Sequence, residues 1–155
     1  MWNGANPSLV SIFMNTKAKG EISEAIILSK LISAGYPTSI PFGNNQRYDF
    51  VIEKDNSFLR IQCKTATKRK GTLVFKACST NGFTGKNKSY RGEADIFLVY
   101  SPSEEKVYWV PVNEVGKNCV TLRLKEPKNK APKSTIRFAK DYEFILGNPN
   151  SCIEP

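Results

Sequence analysis

The sequence predicts one domain of the α/β (α+β) class, in which a long helix is followed by paired β-strands. Three stretches indicate this class: a helix-periodic segment over residues 20–34, a hairpin over residues 46–64 and a second hairpin over residues 95–112. The length of 155 residues suits one core and is short for two. We expect an N-terminal extension over residues 1–16, with Met14 as an alternative start, a domain over residues 17–147 and a loose tail over residues 148–155.

Composition excludes several kinds of chemistry. The chain has no histidine, which removes triads and metal sites that need imidazole. Its four cysteines are scattered without a Cys-x-x-Cys pair, so we expect no zinc site, and reduced thiols in an intracellular, cytoplasmic protein. No apolar run approaches the ~20 residues of a membrane span. No basic residue precedes the short apolar run at residues 9–14, so we expect no signal peptide.

The positive charge is concentrated in one part of the chain. The net charge is +9, and residues 54–91 contain ten basic residues against the single acid Asp55. A local excess of this kind is typical of proteins that bind a polyanion, of which nucleic acid is the commonest.

The first helix, expected over residues 20–34 and ended by Gly35, carries an acid on its apolar face. At 100° per residue Glu24 lies at the middle of the stripe, with Ser23 and Lys30 on the opposite face. The stripe consists of Ala25, Ile27, Leu28, Leu31 and Ile32. A carboxylate on a buried face is costly without a partner, which favours a functional role for Glu24. The alternative is a partly exposed Glu24 that interacts favourably with the helix dipole.

The hairpin over residues 46–64 brings together groups with metal-binding chemistry. Its second strand alternates, with Phe58, Arg60, Gln62 and Lys64 on one face and Leu59, Ile61, Cys63 and Thr65 on the other. In the first strand, Asp49 occupies a position where an apolar residue would suit the pattern better. Four groups therefore converge: the Asp49 carboxylate, the Gln62 amide oxygen, the backbone carbonyl of Cys63 and the Lys64 ammonium. This combination is the outline of a site for a metal ion and a water molecule.

The remaining segments are short strands and polar loops. We expect strands at residues 36–42, 72–78 and 120–124, basic turns or loops at residues 68–71 and 125–133, a polar surface loop at residues 79–92 and a closing segment at residues 137–146.

The chain resembles the PD-(D/E)XK nuclease superfamily. The resemblance lies in an acid on the first helix, Glu24, followed by Asp49 and a Gln62-x-Lys64 unit on a hairpin. Four segments resemble, more narrowly, the group I intron-encoded homing endonucleases of the Gln-x-Lys variant: GEISE at residues 20–24, PFGNNQRYD at 41–49, QCKT at 62–65 and YRGEAD at 90–95. The resemblance covers about residues 17–145 and implies a restriction-endonuclease-like αβββαβ core, with a mixed central sheet flanked by helices.

The resemblance also implies a Mg²⁺-dependent DNA endonuclease, with Mn²⁺ able to substitute. Its catalytic residues would be Glu24, Asp49, Gln62 and Lys64, and its metal ligands Glu24, Asp49, Gln62 and the Cys63 carbonyl. Gln62 stands where the superfamily has Asp or Glu, so the site keeps two carboxylates and we expect weaker metal binding. We expect DNA contacts from Arg47, Lys68, Arg69, Lys70, Lys86, Lys88, Tyr90 and Arg91.

The leading hypothesis is a homing-type endonuclease that makes double-strand breaks. The alternatives are a Holliday-junction-resolvase-like nuclease, a catalytically inactive DNA-binding module, and a basic protein that binds RNA. We further expect a homo-oligomer, dimer or tetramer, because a monomer about 40 Å across is shorter than a ~20-base-pair target of about 70 Å. Residues 95–112 and 137–146 are the expected interface, since they are apolar and lie outside the basic window.

Overall fold

The computed structural model describes residues 15–43, 45–126 and 136–145. Its one α-helix in these ranges is α1 (Thr16–Ser33), and its strands are β1 (Thr38–Ser39), β2 (Phe50–Lys54), β3 (Ser57–Thr65), β4 (Thr67–Arg69), β5 (Thr72–Lys76), β6 (Cys78–Thr80), β7 (Asn87–Ser89), β8 (Ile96–Ser101), β9 (Lys106–Pro111) and β10 (Cys119–Arg123). Two 3₁₀ turns lie at Val112–Glu114 and Ala139–Tyr142. The described residues include no helix with the length and hydropathy needed to cross a bilayer.

Both ends of α1 have recognisable capping chemistry. The helix begins after Asn15, whose side-chain oxygen accepts a hydrogen bond from the Ala18 N–H at 2.8 Å. It ends in a Schellman motif, in which Gly35 has φ +80° and the Tyr36 N–H donates to the Leu31 carbonyl at 3.1 Å. The predicted end was therefore right, whereas the predicted start at Gly20 was too late, because Asn15 caps an additional turn.

The buried face of α1 differs from the predicted stripe. Ser23, Ile27 and Leu31 face the sheet, while Ala25 is exposed and Ile32 is 62% exposed. Ser23 can be buried because its hydroxyl shares a hydrogen bond of 2.6 Å with Thr65 Oγ1 on β3. The prediction that Ser23 lies on the outer face was wrong, since hydropathy cannot anticipate this partner. Glu24 consequently lies at the edge of the buried face and is half-buried.

The central sheet is mixed and has five strands in the order β1-β2-β3-β8-β9. The strands β3 and β8 are parallel, with Ile61 opposite Ile96, and every other neighbouring pair is antiparallel. The predicted hairpin is present as β2 and β3, joined by Asp55 and Asn56 with φ of 51° and 59°. Positive φ at both positions matches a type I′ turn. The expected α+β class with a mixed sheet is confirmed.

Side chains on the two faces of the central sheet form two cores. On β8, Ile96 and Leu98 belong to the core beneath α1, whereas Phe97 and Val99 belong to a core on the opposite face. A second sheet, in the order β10-β5-β4, covers that opposite face with residues such as Leu73 and Leu122. The domain therefore has three layers: α1, the central sheet and the smaller sheet.

The connection between β3 and β8 contains strands. The αβββαβ core that the resemblance implies would place a helix here, whereas the residue pattern predicted a strand at residues 72–78 and a loop at residues 79–92. Within the described residues the crossover is made of β4, β5 and the two-stranded β6–β7 hairpin. The predicted basic turn at residues 68–71 is narrower, because Lys68 and Arg69 lie in β4 and only Lys70 and Gly71 form the turn. The predicted strand at residues 36–42 is limited to β1, and the polar loop at 79–92 contains β7. Most of the second basic loop, residues 127–135, lies outside the described residues.

The segments expected at an oligomer interface are largely internal. The β8–β9 hairpin is almost fully buried in the middle and at the edge of the central sheet. The Phe144 ring stacks on Trp109 with centroids 5.9 Å apart, and Glu143 forms a bridge with Tyr108. This interface prediction was wrong for residues 95–112, whose apolar side chains build the core of the monomer.

Candidate active site

Asp49 lies immediately before β2, directly across from β3. Its backbone N–H donates to the Ile61 carbonyl at 2.7 Å, which fixes the residue beside Gln62. Its carboxylate atom Oδ2 accepts two hydrogen bonds of 2.6 Å, from the Gln62 amide Nε2 and from the backbone N–H of Cys63. The register of the hairpin therefore brings the predicted acid and the predicted amide into contact.

Lys64 projects from the same face of β3 as Gln62, while Ile61 and Cys63 point into the core beneath α1. Its ammonium Nζ donates to the Tyr90 hydroxyl at 3.1 Å and lies 4.3 Å from the centroid of the Tyr90 ring. Both contacts restrict where the ammonium group can move. Lys64 is thus held in place by a residue from the far end of the crossover.

Glu24 and Asp49 line the same cavity, which has a volume of about 490 Å³ and lies between α1 and residues 40–50. Burial raises the pKa of the Glu24 carboxyl, and the negative charges of Asp49 and Glu21 raise it further. Burial also raises the pKa of the Asp49 carboxyl, against the lowering effect of the Cys63 N–H and of Lys64. Two carboxyl groups that resist ionisation beside one another are suited to share a cation.

The donors around this cavity fit a hard divalent cation through oxygen atoms. Within the described residues there is no group of three or more His, Cys, Asp or Glu side chains that could hold a metal. Two further groups that carry oxygen, the Gln62 amide and the Cys63 carbonyl, lie beside Asp49 and would complete the set. Gln62 Nε2 lies 3.3 Å from the Cys63 oxygen and 2.6 Å from Asp49 Oδ2. A half-turn of the amide about its last bond would present its oxygen to the same place.

Two residues expected to contact DNA are used inside the protein. The Arg47 guanidinium donates to Ser79 Oγ at 2.7 Å and to the Ser89 carbonyl at 2.9 Å, pairs with Glu93, and lies 4.4 Å from the Tyr90 ring centroid. The Tyr90 ring is buried and packs edge-on against Phe97. These contacts link both side chains to Lys64, directly for Tyr90 and through the Tyr90 ring for Arg47, so we infer that both support Lys64, while their contact with DNA stays a prediction.

The other basic residues expected to contact DNA differ in whether their side chains already have partners within the protein. Lys68 pairs with Glu104 at 2.7 Å, Lys88 pairs with Glu93 at 2.6 Å, and Arg91 donates to the Val115 carbonyl at 3.0 Å. Arg69, Lys70 and Lys86 are exposed, and their side chains make no hydrogen bond or ion pair with the described residues. These three remain the best placed to meet a phosphate backbone.

Sequence reasoning missed the supporting contacts around Lys64. Glu93 holds both Arg47 and Lys88, and Asp95 accepts a forked hydrogen bond from Arg60, at 2.9 Å to Oδ1 and 3.1 Å to Oδ2. Arg60 lowers the pKa of the Asp95 carboxyl by this bonding. The YRGEAD segment at residues 90–95 can be recognised in the sequence. Its location beside Arg47 and Lys64 cannot, because it depends on the path of the long crossover between β3 and β8.

Comparison with known proteins gives a family. A family model described as PD-(D/E)XK endonuclease matches residues 14–145. The chain belongs to the PD-(D/E)XK endonuclease family. It is therefore a nuclease, of a family that acts on DNA and generally uses divalent metal ions.

Individual known proteins are similar to this chain in sequence or in fold. The chain is 28% identical over 107 residues to Protein 5.3 of Escherichia phage T7, covering 68% of this chain and 91% of that protein. Among solved structures, the nuclease is similar to a bacterial homing endonuclease, I-Ssp6803I, with a TM-score of 0.66 and 22% identity over 84% of this chain and 89% of that chain. A Holliday junction resolvase, Hjc of Archaeoglobus fulgidus, gives a TM-score of 0.43 and 20% identity over 66% of this chain and 83% of that chain. The likeness to I-Ssp6803I supports the fold.

Proposed function

We propose that this nuclease is a Mg²⁺-dependent, sequence-specific DNA endonuclease of homing type, which makes double-strand breaks with a domain spanning residues 17–147. The observation that carries the proposal is that Glu24 and Asp49 line one cavity while Gln62, which shares a face of β3 with Lys64, donates to Asp49 at 2.6 Å. The resemblance of four separate segments to the Gln-x-Lys homing endonucleases supports the finer assignment.

The metal would be held by Asp49, Glu24, the Cys63 carbonyl and the Gln62 amide oxygen. All four supply hard oxygen ligands, which Mg²⁺ prefers. When bound, the ion would polarise the scissile phosphate and acidify the attacking water. An uncharged amide in place of a third carboxylate predicts a requirement for higher Mg²⁺ concentrations.

Lys64 acts next to these ligands through its ammonium group. The Tyr90 hydroxyl and ring hold this group on the face of β3 that carries Gln62. From there the ammonium orients the attacking water or offsets the negative charge that develops on the phosphate. Tyr90 acts through Lys64, and Arg47 acts through Tyr90, so both are positioning residues.

A panel of substrates tests the proposal. The purified protein is incubated with a supercoiled plasmid library carrying candidate intron-insertion sites, with an unrelated plasmid and with a four-way junction, in Mg²⁺, Mn²⁺ or EDTA. We expect linear product from a small subset of the library in Mg²⁺, and none from Asp49→Ala. Preferential cutting of the junction would favour a resolvase instead. Binding without cleavage of any substrate in either metal would identify an inactive DNA-binding module.

A further inference from the structure

The β6–β7 hairpin presents an aromatic ring at its tip. Phe83 is 103% exposed, so its ring is free to contact a partner. Asn81 fixes the tip, because its side-chain oxygen accepts hydrogen bonds from the N–H groups of Phe83 at 2.9 Å and Thr84 at 3.0 Å. The Gly85 N–H donates to the Asn81 carbonyl at 2.8 Å, and Gly85 has φ +65°. The ring is therefore displayed by a turn of defined shape.

The base of this hairpin is attached to the active site. The guanidinium of Arg47 binds Ser79 on one strand and the carbonyls of Lys88 and Ser89 on the other. Arg47 precedes Asp49 by two residues, so the same short segment holds the hairpin and carries the candidate metal ligand. At ~3.3 Å per residue, the tip lies within about 25 Å of Asp49. That distance corresponds to roughly seven base pairs.

The charged residues of the segment that forms the β6–β7 hairpin are all basic, which favours contact with a polyanion. Between Cys78 and Gly92 the chain contains Lys86, Lys88 and Arg91 and no acidic residue. Lys86 lies three residues after Phe83, exposed and without a side-chain partner in the described part of the chain. An apolar ring flanked by a cation is the combination that minor-groove proteins use, in which the cation binds phosphate and the ring enters a base step.

We propose that the β6–β7 hairpin enters the minor groove within about seven base pairs of the scissile phosphate and that Phe83 inserts between neighbouring base pairs, bending the duplex. The inference rests on the proposed action on DNA. Insertion removes the ring from water and requires unstacking of one base step, which is easiest at flexible pyrimidine–purine steps. Phe83 would thereby contribute specificity without a base-edge hydrogen bond.

A topological assay tests the insertion of Phe83 between base pairs, called the wedge below, without knowledge of the target sequence. The Asp49→Ala protein, which does not cut, is bound to a closed circular plasmid in the presence of topoisomerase I, and the linking number is measured after deproteinisation. We expect a shift toward unwound DNA, loss of that shift in Asp49→Ala/Phe83→Ala, and its retention in Asp49→Ala/Phe58→Ala. Phe58 is a matched control, because it is 73% exposed at the opposite end of β3 from Lys64.

DNA affinity and sedimentation separate the outcomes. We expect Phe83→Ala to change plasmid affinity at low salt by less than about threefold, since phosphate contacts dominate that affinity. An unchanged linking number for bound Asp49→Ala, or a shift that survives Phe83→Ala, overturns the wedge and leaves the nuclease assignment standing. Failure of the parent protein to bind DNA would instead overturn the proposed function as well. Loss of self-association in Phe83→Ala without a topological effect would overturn the wedge by placing the ring between two copies of the chain.

Discussion

Burial raises the pKa of the Asp49 and Glu24 carboxyl groups, so we expect both to destabilise the metal-free protein at neutral pH. A carboxyl whose pKa is higher in the folded than in the unfolded state binds more protons when folded. The free energy of unfolding therefore falls as the pH rises between the unfolded and the folded pKa values. A bound cation removes this penalty and competes with protons for the same oxygens.

We predict that Asp49→Asn is more stable than the parent protein at pH 7.5 in EDTA, while cleavage falls by about a thousandfold or more. The amide oxygen of the substituted side chain can still accept from Cys63 and Gln62, so the folded contacts survive. Urea denaturation at pH 7.5 and pH 4 checks the first part, since the two proteins should converge where Asp49 is protonated. Equal stability at both pH values would show that the carboxylate carries no penalty.

Gln62 donates to the carboxylate that it is proposed to join in binding metal. Replacing it with Glu exchanges an attractive 2.6 Å contact with Asp49 for repulsion between two carboxylates. We predict that Gln62→Glu lowers the Tm in EDTA, shows a larger increase in Tm on addition of Mg²⁺, and cuts at lower Mg²⁺ concentrations than the parent. Thermal unfolding across a Mg²⁺ titration measures these effects. An inactive Gln62→Glu with normal metal-dependent stabilisation would mean that the amide N–H is itself needed.

Tyr90 offers a test of how Lys64 is positioned. Tyr90→Phe keeps the ring against Phe97 and removes only the hydroxyl that accepts from Lys64 at 3.1 Å. We predict an approximately tenfold slower single-turnover cleavage, from the loss of one hydrogen bond to a charged group. DNA affinity and Tm should be nearly unchanged. A fall in DNA affinity matching the fall in rate would instead return Tyr90 to a direct role in DNA binding.

At the scale of elements, the β4–β5 turn combines strain with charge. Lys70 and Gly71 have φ of 44° and 78° in a two-residue connection between Arg69 and Thr72, the geometry of a type I′ turn. Asparagine suits the first of these positions better than lysine. An exposed lysine kept in this conformation is consistent with a use for its charge.

We predict that Lys70→Asn raises the free energy of unfolding by about 0.5–1 kcal/mol and weakens DNA binding at every sequence. The slope of log K against log salt should flatten by about 0.9 if one phosphate contact is lost. Lys117→Asn removes an exposed charge outside the basic window and serves as the control. An unchanged salt slope for Lys70→Asn would show that the turn does not touch the backbone.

The local residue pattern was enough to predict those elements whose stabilising contacts are between residues close in sequence. The end of α1, the β2–β3 hairpin and the alternation that separates Gln62 from Cys63 all follow from residue spacing. The buried Ser23 and the internal Tyr90 could not be predicted this way, because each is stabilised by a partner 42 or 26 residues away. Polar residues become buried when a distant group satisfies them, and hydropathy does not report that group.

For the whole molecule, a homo-oligomer remains our proposal, with a different surface from the one first expected. One active site cuts one strand, so a double-strand break requires two sites related by symmetry. The exposed apolar side chains available for association in the described ranges include Ile22, Ile32 and Ile145. These lie on α1 and the last described segment rather than on the β8–β9 hairpin.

Mixed oligomers test this requirement directly. We predict that parent protein mixed with an excess of tagged Asp49→Ala gives mainly nicked plasmid, because each mixed pair retains one competent site. Sedimentation velocity in the absence of DNA measures the assembly state of the same samples. Linear product that falls only in proportion to the parent protein added would indicate that one chain makes both cuts.

The order in which the chain is synthesised has a consequence for the timing of activity. Glu24, Asp49, Gln62 and Lys64 all leave the ribosome before Tyr90, and the parallel pairing of β3 with β8 waits for the whole crossover. Pairing across such a separation is slow relative to local hairpin closure. An incomplete chain that stops before Tyr90 therefore contains every proposed catalytic group but leaves the Lys64 ammonium unheld. We therefore expect such incomplete copies to cleave DNA more slowly than the complete domain does.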